Sequence, residues 1–219
     1  MCNLYALVSP QEAILRLARA ATDRTGNLAA QPAIFPDANA PILREGPDGR
    51  ELVLARWGMP SPSFALKGRA TDPGVTNIRN TASPHWRRWL GPAHRCLVPF
   101  NSFSEYDTVD GRKVPVWFAR DESRPLMAFA GLWTRWRSVR RKAEGEVEVD
   151  AFGFLTTEAN AVVGAVHPKA MPVILTGPDE FDLWLGSEWR EAVRLQRPLP
   201  DEALREVARG AREDAPEPV

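Results

Sequence analysis

The chain has 219 residues, enough for one domain with a sizeable core or two small ones, and its 28 basic side chains are matched by 28 acidic ones. It holds no apolar run long enough to span a bilayer, and its first twenty residues lack the basic start and apolar centre of an export signal, so no membrane role is expected. Two cysteines, Cys2 and Cys96, without CxxC spacing, make neither a disulfide framework nor a zinc site, which points to a reducing cytoplasm and to no metal or cofactor.

Met1-Cys2 comes first and matters most. Removal of the initiator methionine leaves Cys2 with a free α-amine and a thiol on adjacent carbons. The amine, with a reference pKa of roughly 7.7–8.0, is partly neutral near pH 7, and the thiol, at roughly 8.5, is partly thiolate. Such a 1,2-aminothiol condenses with an aldehyde: the amine forms a Schiff base and the sulfur closes a five-membered thiazolidine. An internal cysteine cannot do this, because its nitrogen is an amide. The other reading of Cys2 is a small buried residue.

Asn3–Val8 reads as a short strand. A helix follows, with Ser9 as N-cap, Pro10 in the first turn, Glu12 completing a capping box, and Ile14, Leu17, Ala18 and Ala21 on one face. The stretch 27–41, with prolines at 32, 36 and 41, is loop-like, and residues 42–45 and 51–57 form strands joined by a turn. Trp57-Gly58 opens a proline-bearing loop to about Thr76, long enough to be functional. Ser83-Pro84 starts a short helix carrying Trp86, Arg87, Arg88 and Trp89. Strands are expected at about 95–100, 102–107, 114–120 and 126–133, with turns at Asp110-Gly111 and 121–125. Alternation sets Phe103, Glu105 and Asp107 on one face and Ser104 and Tyr106 on the other, so Glu105 is either a desolvated, functional carboxylate or an exposed edge residue. Arg135 to Asp150, basic and then acidic, reads as a solvated hairpin tip or flexible loop. A strand at 151–156, a short helix at 158–166, an apolar strand at 173–175 and a helix from Gly177-Pro178 to Gly186 follow. A last helical stretch at 201–209 precedes a charged tail, 211–219, expected to fray. The fold class is α+β: one domain over residues 1–210, with a curved, mostly antiparallel, barrel-like sheet flanked by short helices.

Charge is unevenly spread. Residues 1–100 carry twelve Lys/Arg against seven Asp/Glu, and within 53–100 seven basic residues face only Asp72. Local charge sets phosphate affinity, so this segment is a candidate nucleic-acid contact, although scattered solvated arginines read the same way.

Three further stretches, Asn77-Ile78-Arg79-Asn80-Thr81-Ala82, Ser104-Glu105-Tyr106 and His167-Pro168-Lys169-Ala170-Met171-Pro172, join Met1-Cys2-Asn3-Leu4-Tyr5 and Trp57-Gly58 in an order that resembles the SRAP family (SOS response-associated peptidases, or abasic-site processing proteins). The resemblance runs from residue 1 to about residue 190. It implies a single α+β domain that captures abasic sites in single-stranded DNA as a covalent thiazolidine crosslink, in the DNA damage response. Cys2 would be the nucleophile, through nitrogen and sulfur. Asn77 would orient the Cys2 amine or the sugar, Glu105 would move protons during Schiff-base formation, and His167 would assist sugar opening. Arg79 would hold a flanking phosphate.

Imine formation expels water from a carbinolamine, so a proton donor must lie within reach; a carboxyl kept partly protonated by burial serves, and so does a histidine with its reference pKa of roughly 6.5. Two departures stand out. Leu4 occupies a position where many members carry a DNA-contacting arginine, a contact that Arg69 could supply. The loop after Trp57-Gly58 lacks the tryptophan pair of some members, and Phe64 could stack a base instead, with Trp57 also counted among the DNA-binding candidates. His85 and His94 read as structural, and Cys96 as an inert buried thiol. The expected partner is single-stranded DNA with abasic sites, bound by a monomer in the cytoplasm, on the nucleoid when the DNA is damaged.

Two other activities fit the same residues. One is an N-terminal-nucleophile peptidase or hydrolase, in which the Cys2 thiolate attacks an amide and Met1 removal is autocatalytic. The other is a non-covalent nucleic-acid-binding module using residues 53–100.

Overall fold

A computed structural model describes residues 2–215 of the protein. In chain order its elements are β1 (Leu4–Leu7), α1 (Gln11–Ala18), β2 (Thr22–Asp23), β3 (Gln31–Ile34), β4 (Asn39–Gly46), β5 (Gly49–Trp57), α2 (Ser63–Leu66) and β6 (Asn77–Ile78). Then come β7 (Arg95–Phe100), β8 (Ser102–Val109), β9 (Arg112–Ala119), β10 (Met127–Val139), β11 (Glu146–Thr157), α3 (Ala161–Gly164), β12 (Met171–Pro172), β13 (Ile174–Leu175), α4 (Pro178–Gly186), α5 (Trp189–Ala192) and β14 (Arg205–Arg209). No helix among the described residues is long and apolar enough to cross a membrane.

Five strands close on one another in the order β11-β10-β7-β4-β5 and back to β11. Four of these pairings are antiparallel, and the closing one, β5 with β11, is parallel. A second, wholly antiparallel sheet runs β14-β9-β8-β1-β3. The core between them is aromatic: Phe100 stacks on Phe129 at 3.7 Å, Phe129 lies 4.5 Å from Phe154, Phe154 lies 5.2 Å from Trp57, and Tyr5 meets Trp57 edge-on at 5.1 Å. Such pairs add about 0.5–1.5 kcal/mol each beyond the area they bury. On the opposite face of the second sheet, Leu4, Ala6 and Trp117 form a separate small cluster with Ala33, Tyr106, Val207 and Ala208. The β8–β9 hairpin turns on Asp110 and Gly111, both at positive φ (49° and 74°), as a two-residue turn between right-twisted strands requires. The fold class is as the sequence indicates, an α+β domain built on a barrel with short helices around it.

Several local expectations are corrected. Ser9 does not cap α1; its hydroxyl accepts a bond from the Asn101 side-chain amide at 2.8 Å, and Ala21 lies beyond the helix, which ends at Arg19 in a left-handed conformation. The supposed loop at 27–41 contains β3. The helix expected at 158–166 shortens to α3, capped by the Asn160 side chain. Residues 135–150 are not a flexible loop: 135–139 and 146–150 form the outer half of the long β10–β11 hairpin, whose exposed Arg137 lies opposite Glu148 and exposed Arg135 opposite Asp150. The final helical expectation at 201–209 gives way to a single 3-10 turn and β14, which pairs with β9. The described part of the tail is docked: the Ala211 carbonyl accepts from the Trp117 indole at 2.8 Å, and buried Asp214 accepts from Arg124 at 2.8 Å. Residues 216–219 lie outside the described residues.

Candidate active site

The Leu4↔Ser104 register of β1 against β8 fixes the site, because it sets Glu105 one residue further along β8, towards the start of the chain. Glu105 is on the core face with Phe103 and is only 2% exposed. Between the two readings the sequence left open, it is therefore a buried carboxyl. Loss of hydration raises its pKa from the usual carboxylate value to about 7.

Cys2 is buried beside it, with Sγ 3.5 Å from the Leu4 carbonyl. Burial first, and then the Glu105 charge, push the Cys2 thiol well above its ordinary range. The sulfur of this chain is thus a thiol at neutral pH rather than the partial thiolate expected of a free cysteine.

Asn77 reaches Cys2 from the other side. Its position in β6 is set by parallel pairing with β11, Asn77 opposite Phe154. Its side-chain amide donates to the Cys2 carbonyl at 2.7 Å and to the Thr76 hydroxyl at 2.9 Å, and that hydroxyl is 3.2 Å from Asn3 Oδ1. The Thr76 backbone carbonyl in turn accepts the indole N–H of Trp57 at 3.1 Å. Neither Thr76 nor Asn3 stands out in the sequence, since short polar residues are common in loops.

His167 follows α3, its backbone N–H bonded to the Val163 carbonyl at 2.8 Å, and its Nδ1 lies 4.0 Å from Glu105 Oε2. Partial burial, then the charges of Lys169 and Lys113, lower its pKa below the ordinary imidazole value. At neutral pH it is therefore an uncharged imidazole, better suited to accept or relay a proton than to supply one.

Arg79 sits at the edge of this cluster, its side chain 48% exposed, with a long contact to the Lys169 carbonyl (3.4 Å) and a loose ion pair to Glu158 (3.7 Å). Gln196, which the sequence does not single out, fastens the Arg79 carbonyl at 2.9 Å and the Thr156 carbonyl at 3.0 Å.

The loop 59–76 is held at its base and exposed at its tip. Arg140 donates to the Gly58 carbonyl at 2.9 Å, and Asp72 accepts from the backbone of Ser61 and Gly74. Gly58 has φ 143°, and a Cβ there would lie 2.2 Å from an Arg140 nitrogen, so only glycine can follow Trp57. At the tip Phe64 is 76% exposed and Arg69 is exposed, neither in contact with the Cys2 cluster.

Trp57 itself is a correction: it is fully buried, stacked between Phe152 and Phe154, and has no face free for a base. Its indole N–H reaches the site through the Thr76 carbonyl.

A buried thiol at the second position, a buried carboxyl with a pKa near neutrality and an uncharged imidazole, gathered at the start of a barrel-bearing α+β domain, define a protein with a cluster of titratable groups around Cys2. A model of the family "SOS response associated peptidase (SRAP)" matches residues 1–209, and the chain belongs to that family. Bacillus subtilis YoqW, described as an abasic site processing protein, is 31% identical over 158 residues, spanning 71% of this chain and 66% of the relative. YobE of the same organism, described likewise, is 30% identical over 159 residues, spanning 71% of this chain and 67% of the relative. The match thus spans about two thirds of each relative's length. A crystal structure of a Bordetella bronchiseptica protein, 24% identical, superposes with a TM-score of 0.72 over 95% of this chain and 98% of the other, a likeness of fold.

Proposed function

We propose that the protein recognises abasic sites in single-stranded DNA and captures them covalently through Cys2 once Met1 has been removed. The relatives YoqW and YobE, abasic site processing proteins, support the substrate. The observation that carries the chemistry is the convergence of Asn77, Glu105 and His167 on Cys2.

The freed amine attacks the aldehyde of the ring-opened abasic sugar, forming a carbinolamine. Protonated Glu105 donates to the departing hydroxyl, and water leaves as the C=N bond forms. The C=N bond is a protonated iminium that keeps its N–H, and the Cys2 thiol then adds to its carbon: a C–S bond forms, the C=N π pair returns to nitrogen to close the thiazolidine, and the S–H proton restores protonated Glu105. A carboxyl with its pKa near 7 can fill both roles at neutral pH. Asn77 holds Cys2 in place through its carbonyl, His167 assists ring opening as a neutral imidazole, and Arg79 holds a flanking phosphate. Phe64 and Arg69, on the exposed loop, contact the strand beyond it. The protein acts as a monomer in the cytoplasm, on the nucleoid at damaged DNA, and the same chemistry gives it lyase-like character.

Met1 lies outside the described residues, so its removal is part of the proposal. An amide-cleaving hydrolase is the lesser reading, because it needs a thiolate, which burial and the Glu105 charge oppose. The test is denaturing electrophoresis after incubation with abasic single-stranded DNA. Wild type should give a covalent band and Cys2→Ser none. A Cys2→Ser band of equal yield would overturn the proposal.

A further inference from the structure

A pocket of about 370 Å³ on the outer face of the second sheet is lined by Phe35, Tyr106, Lys113, Pro115, Gly210 and Arg212. It straddles the strand that carries Cys2 into the fold. The Tyr5↔Ile34 register sets Phe35 on one flank of the start of β1, and the Leu4↔Ser104 register sets Tyr106 just past the other. Tyr106 is the immediate neighbour of Glu105, on the opposite face of β8, and β8 runs on beyond the first residue of β1, so a chain leaving Cys2 can pass around that open edge to the pocket.

The lining has two characters. Phe35 is 46% exposed and Tyr106 half-buried, giving two aromatic surfaces. Lys113 and Arg212 are exposed cations, and among the described residues no carboxylate lines the pocket. Asp107, next to Tyr106 on β8, and Glu206 on β14 are both engaged by Arg209, at 2.7 and 2.8 Å. Aromatic faces beside uncompensated cations suit a flat ring that carries a phosphate, because any base can stack and any phosphate can pair. An acidic peptide would use the cations and leave the aromatic surfaces idle; a neutral apolar ligand would do the reverse.

We propose that Phe35, Tyr106, Lys113 and Arg212 form a subsite for one nucleotide of the bound single strand, a few nucleotides from the captured sugar on one side only. None of these residues lies in the basic segment 53–100. The inference rests on the DNA-capture reading above and adds the direction in which the strand leaves the site. It makes DNA contact asymmetric, with Phe64 and Arg69 on one flank and this pocket on the other.

The test is anisotropy binding of fluorescent oligonucleotides that carry a non-reactive tetrahydrofuran in place of the abasic sugar and are extended stepwise on the 5′ or the 3′ side. Wild type should gain affinity on extending either side, and Phe35→Ala combined with Arg212→Gln should lose about five- to a hundredfold of the gain on one side only, while gaining as wild type does from the other side and binding the shortest oligonucleotide as wild type does. Arg212→Gln alone should flatten the salt dependence by about one unit with the extended oligonucleotide only. Both positions are exposed, and crosslinking at saturating DNA should be unchanged. A double variant that gains as much as wild type from every extension overturns the subsite and leaves the capture reading standing. Wild-type protein that binds none of the oligonucleotides overturns both.

Discussion

The side-chain amide of Asn77 donates to the backbone carbonyl of Cys2 at 2.7 Å, a contact between residues 75 positions apart. It fastens Cys2, the residue proposed to carry the chemistry, at its one backbone acceptor, beside the buried carboxyl of Glu105. Truncation to Asn77→Ala removes a buried hydrogen bond, worth about 0.5–1.5 kcal/mol, and frees the start of β1. Crosslinking should slow at least tenfold at saturating DNA while the melting temperature falls by only a few degrees. Equal losses of rate and of bound DNA would make Asn77 a DNA contact instead.

Glu105→Gln keeps shape and loses proton exchange. Single-turnover crosslinking at pH 7 should fall by about 10²–10⁴-fold, with affinity for the tetrahydrofuran analogue nearly unchanged. Stability should move the other way. The folded carboxyl titrates near 7, above its unfolded value of 4.5, so the folded state holds a proton that the unfolded state has lost. The stability this gives is complete below pH 4.5 and is lost as pH rises through 7. Relative to wild type, the Glu105→Gln variant should therefore gain melting temperature between pH 5 and pH 8. A variant that reacts at the wild-type rate would pass the proton-transfer role to His167, and one uniformly less stable at both pH values would make Glu105 structural.

Arg79 is half exposed and loosely held, as a side chain awaiting a phosphate would be. Arg79→Ala should weaken binding about equally for all sequences and flatten the salt slope by about one unit. An unchanged slope would assign Arg79 to its contacts with Lys169 and Glu158.

Trp57 separates support from contact. Trp57→Phe retains an aromatic ring between Phe152 and Phe154 but loses the indole bond to the Thr76 carbonyl. It should slow crosslinking several-fold by loosening Thr76 and Asn77, without changing the salt dependence of DNA binding. Trp57→Ala, by contrast, should cost about 3–5 kcal/mol of folding stability. A Trp57→Phe variant that loses DNA affinity at full crosslinking rate would restore Trp57 as a base contact.

How far the sequence reaches is clear from these residues. Cys2 stands out as a second-position aminothiol, whereas Asn77 and His167 are singled out by the family resemblance of their stretches; the structure sets Asn77 against Cys2 and His167 beside Glu105. Glu105 is half legible: alternation puts it with Phe103, but only the closure of the core over that face makes it buried. Trp57 is misread because an aromatic at the head of a proline-rich loop looks available to a base. It is the last residue of β5, and the parallel junction with β11 turns it inward. Residues 201–209 read as helix, and the Glu206–Arg209 pair has helical spacing, yet pairing with β9 overrides that local preference. The hairpin half at 135–150 is half legible: its charges are largely exposed, as a solvated hairpin tip implies, but Trp136 opposite Val149 and the alternating Val147 and Val149 extend the strands through it. Ser9 carries a capping signal that Asn101, 92 residues away, diverts. Contacts of that span leave no local trace.

Intact-protein mass after incubation with an abasic single-stranded oligonucleotide tests the central claim most directly. The account predicts a protein lacking Met1 and an adduct equal to that protein plus the oligonucleotide less one water, absent from Cys2→Ser. An adduct on protein that retains Met1, whose Cys2 nitrogen is still an amide, would contradict it.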